Sequence, residues 1–217
     1  MKKTLGIIWK VLLIGILSYF VIAFFADILN GSPEPAAPAK PVIYLYPEEE
    51  TKVRVELDFN GEFTSTYPAY NDGWSVTAKP DGTLTGEDGR EYYCLFWEGK
   101  SYVNYPMNEG FVVSGGETEK FLEESLRALG LTDKEANEFI IYWLPRMEHN
   151  AYNLISFVGE EYTDNARLNV SPAPDTVLRV FMLWKALDEP IDIPRQELNF
   201  TERVGFTLVE WGGAEIK

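Results

Sequence analysis

The sequence predicts an α+β fold: an N-terminal transmembrane helix, then one domain with a mostly antiparallel sheet and a helical hairpin. Three observations lead there. Residues 5–25 form a strongly apolar run with one charge, Lys10. Strand-like runs fill residues 42–98 and return after residue 152. Between them, residues 117–147 switch to helical periodicity and carry their own end signals.

The stretch Leu5–Phe25 spans 21 residues, which at about 1.5 Å per residue crosses a hydrocarbon core of roughly 30 Å. Trp9 and Lys10 suit an interface near its start. Lys2, Lys3 and Lys10 against Asp27 leave the first 30 residues at +2, so the remainder of a chain at −15 carries −17. Positive charge before the span and acid after it place the N-terminus in the cytoplasm and the rest outside. A cleaved signal peptide is the rival reading, but its cleavage site should follow the apolar core directly, and the only small-x-small candidate is Ala37-Pro38-Ala39. The expected organisation is therefore a cytoplasmic tip and single-pass anchor over 1–29, a Pro/Ala-rich spacer over 30–41 and an extracytoplasmic domain over 42–217.

In that domain, Val42–Tyr46 lies between Pro41 and Pro47 and reads as a strand. Val53, Val55, Leu57 and Phe59 alternate with polar residues, as a half-buried strand requires. Asn60-Gly61 is expected to turn the chain tightly into Phe63–Tyr67. Trp74, Val76 and Ala78 alternate again before the turn signals Pro80-Asp81-Gly82 and Asp88-Gly89. The run Glu91–Glu98 is apolar on both faces and is expected to be one central strand. In the hairpin, Phe121, Leu122, Leu126 and Leu129 form a stripe that ends at Gly130. Thr132 and Glu135 have the spacing of a capping box, and Pro145 is expected to stop the second helix. Tyr152–Val158, Thr176–Leu187 and Gly205–Trp211 complete the strands.

Composition narrows the function. A domain at −17 cannot neutralise phosphates, so nucleic-acid binding is excluded. One cysteine, Cys94, and one histidine, His149, cannot make a disulfide or a Cys/His zinc site; no metal or cofactor is expected.

The stretches KPVIYLYP (40–47), GWSVTAKPDGTL (73–84), YYCLFWEG (92–99), FIIYWLPRM (139–147), PAPDTVLRVFMLWK (172–185) and GFTLVEWGG (205–213) resemble an uncharacterised family of secreted or membrane-anchored microbial proteins. The resemblance covers nearly the whole domain and brings no activity or catalytic residue with it.

Candidate chemistry rests on a few side chains. Glu98 and Glu210 each end an apolar run beside a tryptophan, where burial raises a carboxyl pKa as a general acid requires. Such a pair could hydrolyse glycosides; the alternative is structural ion pairing. Arg179 shares a strand face with Val177, Phe181 and Leu183 and needs a carboxylate partner, for which Glu98, Glu210 and Asp175 qualify. It could instead receive the carboxylate of a peptide or acidic sugar. Trp97 and Trp211 could supply a stacking platform for a ligand, or be core. Cys94 reads as a small core residue, His149 as exposed, and Asp81, Glu87 and Asp88 as turn residues. The leading expectation is a membrane-anchored extracytoplasmic binding module that engages an envelope protein or glycan. The second is a cell-envelope hydrolase working through Glu98 and Glu210.

Overall fold

A computed structural model of the chain describes residues 39–101 and 103–216. In chain order the strands are β1 (Ala39–Tyr46), β2 (Thr51–Phe59), β3 (Gly61–Tyr67), β4 (Trp74–Ala78), β5 (Leu84–Gly86), β6 (Glu91–Tyr92), β7 (Leu95–Ser101), β8 (Phe111–Ser114), β9 (Tyr152–Val158), β10 (Ala166–Ser171), β11 (Thr176–Leu187) and β12 (Thr207–Glu215). The helices are α1 (Thr118–Leu129), α2 (Asp133–Met147) and the short α3 (Glu160–Asn165). Strand dominates, which corrects the expected α+β class to a mostly β architecture. The expected single-pass membrane architecture is corrected too. Among the described residues no helix is long and apolar enough to cross a membrane, and the stretch 5–25 lies outside them. Most of the expected spacer 30–41 also lies outside, and β1 already begins at Ala39.

The strands form two sheets rather than one. The larger runs β3-β7-β1-β12-β11-β9-β8 and the smaller β10-β2-β4-β5-β6. Side-chain alternation stacks them into layers. Ile43, Leu95, Phe181 and Leu208 of the large sheet pack against Val53, Val55 and Val76 of the small one. Their neighbours Val42, Val180, Met182, Val209 and Trp211 point the other way, onto Leu122, Leu126, Phe139 and Trp143 of the helical hairpin. The large sheet is thus apolar on both faces. The small sheet keeps Lys52, Arg54 and Asp58 exposed on its outer face.

Two expected elements change sheet midway. The run Glu91–Glu98 is divided: β6 ends at Tyr92 in the small sheet and β7 starts at Leu95 in the large one. Asn60-Gly61 joins β2 to β3, which lie in different sheets, so no hairpin forms there. Alternation reports which residues are buried but not which sheet buries them.

The one parallel pair among the named strands is β11–β12. Parallel neighbours need a crossover, and residues 188–206 supply it without regular structure. This connector bridges Gly110 to Arg195, and the Gln196 carboxamide bonds both polar groups of Phe157, with Phe157 N donating to Oε1 at 2.8 Å and Nε2 donating to Phe157 O at 2.6 Å. The connector thus extends the sheet at Gly110, just before β8, and along β9 at Phe157.

The connector also fastens the hairpin. Gly130 takes the left-handed conformation that ends α1 (φ 101°). The capping box of α2 is complete: Thr132 N donates to Glu135 Oε2 at 2.8 Å and Glu135 N donates to Thr132 Oγ1 at 3.4 Å. Arg203 then donates to Glu135 Oε1 at 3.1 Å and, from Nη2, to Gly130 O at 2.8 Å, joining both helices. Pro145 lies inside the last turn of α2 instead of stopping it, because Glu148 N still closes on Leu144 O.

Burial alone would raise the Glu135 carboxyl, but Arg203 and the Thr132 backbone N–H outweigh it and hold the group below its ordinary value of 4.5. A depressed folded pKa contributes stability that is complete above the unfolded value and is lost as pH falls through the folded one. The gap in unfolding midpoint between the wild type and Glu135→Gln is therefore expected to be wide at about pH 7 and to narrow towards about pH 3. A constant gap in thermal melts across that range would remove Glu135 as the titrating group.

Candidate functional site

Strands β11 and β12 run parallel with Arg179 opposite Glu210, and both side chains enter the space between the sheets. Arg179 Nε donates to Glu210 Oε2 at 2.6 Å, and only 8% and 1% of the two side chains are exposed. Two further donors complete the carboxylate: Tyr162 Oη to Oε2 at 3.2 Å and Trp97 Nε1 to Oε1 at 3.1 Å. The Tyr162 ring lies 4.7 Å from the Arg179 guanidinium and stacks on Phe181 at 3.9 Å. Burial pushes the Tyr162 phenol well up, and the Glu210 carboxylate adds to that rise. For Arg179, burial works to lower the pKa, but Glu210 overrides it and raises the group. Arg179 therefore stays charged against its partner. Arg179 Nη2 is buried and has no acceptor among the described residues.

The proposed carboxylate pair is not assembled. Trp211 and Phe96 both stand opposite Val42, so they share the helix-side face of the large sheet. Glu98, two residues beyond Phe96, shares that face, whereas Glu210 lies on the other. Glu98 is half-buried and accepts the Lys40 N–H at 3.1 Å. A sheet stands between the two acids, so they cannot flank one glycosidic bond. Trp97 and Trp211 are fully buried and offer no stacking platform; Trp211 Nε1 instead donates to Tyr44 Oη at 3.2 Å.

The remaining candidates have structural surroundings. Cys94 is buried, which pushes its thiol up to about 12 and keeps it protonated. His149 is exposed beside Glu148. Asp81 and Asp88 accept the backbone N–H groups of Thr83 and Arg90, closing their turns. Among the described residues no three His, Cys, Asp or Glu side chains come close enough to hold a metal ion.

Sequence reasoning missed a cleft of about 630 Å³ beside the ion pair. It lies between the edge strand β10 and the start of β11, with Arg167, Leu168 and Val170 on one side and Pro174, Val177 and Arg179 on the other. Only Arg179, anomalous on an otherwise apolar strand face, signalled it in the sequence. A second hollow of about 420 Å³ lies on the outer face of the small sheet, around Lys52, Arg54, Ser75 and Thr77. There Arg54 is already taken by Glu56, Ser75 and Asp72 O, and no buried polar group is left unmatched.

Comparison with known proteins bears on this site. A protein of Butyrivibrio fibrisolvens, described as an uncharacterised protein in the bglA 3′ region, is 40% identical over 101 residues, which is 45% of this chain and 96% of that one. The chain belongs to that protein's family. No family profile matches the chain, and no solved structure matches it. The description of the Butyrivibrio relative names no activity, so the functional reading rests on the geometry of the cleft and its ion pair.

Proposed function

We propose that the chain is a non-catalytic binding module acting outside the cytoplasm, with its ligand seated in the cleft between β10 and β11. One observation carries this reading: a ligand-sized hollow opens directly beside a buried guanidinium with an unmatched N–H. Binding sites are concave, of about 300–1,000 Å³, mostly apolar and furnished with a few placed polar groups. The cleft offers Leu168, Val170, Pro174 and Val177 with Arg167 and Arg179, within that size. A hydrolase working through Glu98 and Glu210 has no comparable support, because one substrate cannot reach both faces of the sheet. The extracytoplasmic address belongs to the proposal and is carried by the sequence pattern of residues 1–30 alone.

Val177 is 51% exposed at the mouth of the cleft. Val177→Glu is expected to change stability by no more than about 0.5 kcal/mol, as exposed substitutions do. It should still abolish binding of whichever glycan or peptide the full-length wild type retains from an envelope-derived panel. Ile141→Glu, on the exposed face of α2, should bind like the wild type. Equal retention by Val177→Glu would place the binding surface elsewhere.

A further inference from the structure

We infer that the occupant of the cleft is an extended peptide that adds as a strand to the open edge of β10 and turns a carboxylate towards Arg179. The inference rests on the binding-module reading and goes further by naming the chemistry.

The edge comes first. β10 pairs with β2 over Ala166–Ser171 on one side only. Among the described residues no backbone bond reaches its other side, and the consecutive residues Arg167–Val170 form a wall of the cleft. A strand edge presents N–H and C=O groups at the repeat of an extended main chain, and only another main chain satisfies them in series. The other edges are managed differently. β8 has only four residues, and the connector pairs with Gly110 at its start and with Phe157 of β9 beyond it. β6 has only two residues. β3 is open, but its pairing with β7 shifts register between Phe63 and Ser65, an irregularity of the kind that discourages strand addition. β10 has neither cover nor irregularity over its six residues, and the hollow of about 630 Å³ beside it holds a buried guanidinium with an unmatched N–H, which the hollow of about 290 Å³ along β8 does not.

The opposite wall suits the side chains of such a strand. Val177, Pro174 and Leu208 offer apolar contact to residues projecting from an added strand. At about 3.4 Å per residue, the β10 edge accommodates a segment of roughly four to six residues.

Arg179 supplies the polar end. Its side chain is more than nine-tenths buried, Glu210 takes only Nε, and Nη2 is left without an acceptor. An unmatched buried N–H on a charged group is costly, and a carboxylate is its best partner. Arg167 places a second guanidinium on the same cleft, held only by Asp164 at 3.4 Å on an exposed surface. Elsewhere the domain is strongly acidic, so this is a place where an acidic group finds local complementarity. An acidic glycan could offer the carboxylate but not the main-chain groups that β10 requires.

The test uses the immobilised full-length chain. It is offered random hexapeptides with free C-termini, the same library amidated, and oligogalacturonate as an acidic glycan. The expected result is enrichment of peptides whose affinity falls by about tenfold or more on amidation or on removal of an acidic side chain. Binding should disappear in Val177→Glu, and amide-exchange protection on binding should concentrate at residues 167–170. Peptides that bind equally well when amidated and stripped of acid would overturn the role assigned to Arg179. Oligogalacturonate retained in the absence of any peptide, and lost in Val177→Glu, would overturn strand addition and leave the binding-module reading standing. Retention of neither class would remove both.

Discussion

Replacing Glu210 with glutamine is expected to lower the unfolding midpoint of the full chain by roughly 6–20 °C. Removing one member of a buried ion pair costs about 3–5 kcal/mol, because the survivor is left charged and unmatched, and each kcal/mol moves the midpoint of a domain this size by roughly 2–4 °C. Here the survivor is Arg179, already short of an acceptor on Nη2 and held by the Glu210 carboxylate through a 2.6 Å contact. Glutamine keeps the shape but has one oxygen where the carboxylate has two, so either Trp97 at Oε1 or Arg179 and Tyr162 at Oε2 would meet an NH2 group, and the loss combines the charge with a lost acceptor. The double variant Arg179→Met with Glu210→Leu should recover most of the midpoint, since apolar replacement of a whole buried pair is often neutral or better. That recovered protein should nonetheless fail to hold an acidic ligand in the cleft. An unchanged midpoint in Glu210→Gln would show that the carboxylate does not hold the fold.

The pair illustrates how far the sequence could be read. The apolar surroundings of Arg179 made a carboxylate partner necessary, and three acids qualified. Choosing Glu210 over Glu98 required the parallel register of β11 and β12 and the row Phe96–Val42–Trp211, and neither is written in a local pattern. Strands β9 and β11 were legible because both are long, apolar and bounded. The two-sheet architecture was not. Glu91–Glu98 looks like one strand because both halves are apolar, yet the halves serve different sheets. The tryptophans misled for a related reason. Trp97 and Trp211 stand beside acids, but long-range packing places both in the core, one on each side of the large sheet. The cleft escaped altogether: it is made by the end of one sheet edge and the start of a distant strand. No periodicity in β10 distinguishes an open edge from a covered one.

Trp143→Ala is the second substitution expected to have a large effect, and it separates the layer that holds the fold from the layer assigned to binding. Trp143 is 2% exposed on α2, packed near Phe139 and Tyr142. Its indole rests directly on the backbone of β12, since a Cβ at Gly213 would stand 2.8 Å from Trp143 Cζ2. Truncating a buried tryptophan costs about 3–5 kcal/mol, or roughly 6–20 °C in midpoint for a domain of this size. Because the hairpin reaches the large sheet through Trp143, Phe139 and the two α1 leucines, the loss should appear first as weakened amide protection in α1 and α2. The cleft opens on the opposite face of the same sheet. Well below its lowered midpoint, the variant is therefore expected to keep wild-type affinity for any ligand that Val177→Glu fails to bind. A loss of affinity in the folded Trp143→Ala protein would mean that β11 and β12 transmit the packing of one face to the other. Arg179 and Glu210, which sit on those two strands, would be the groups displaced.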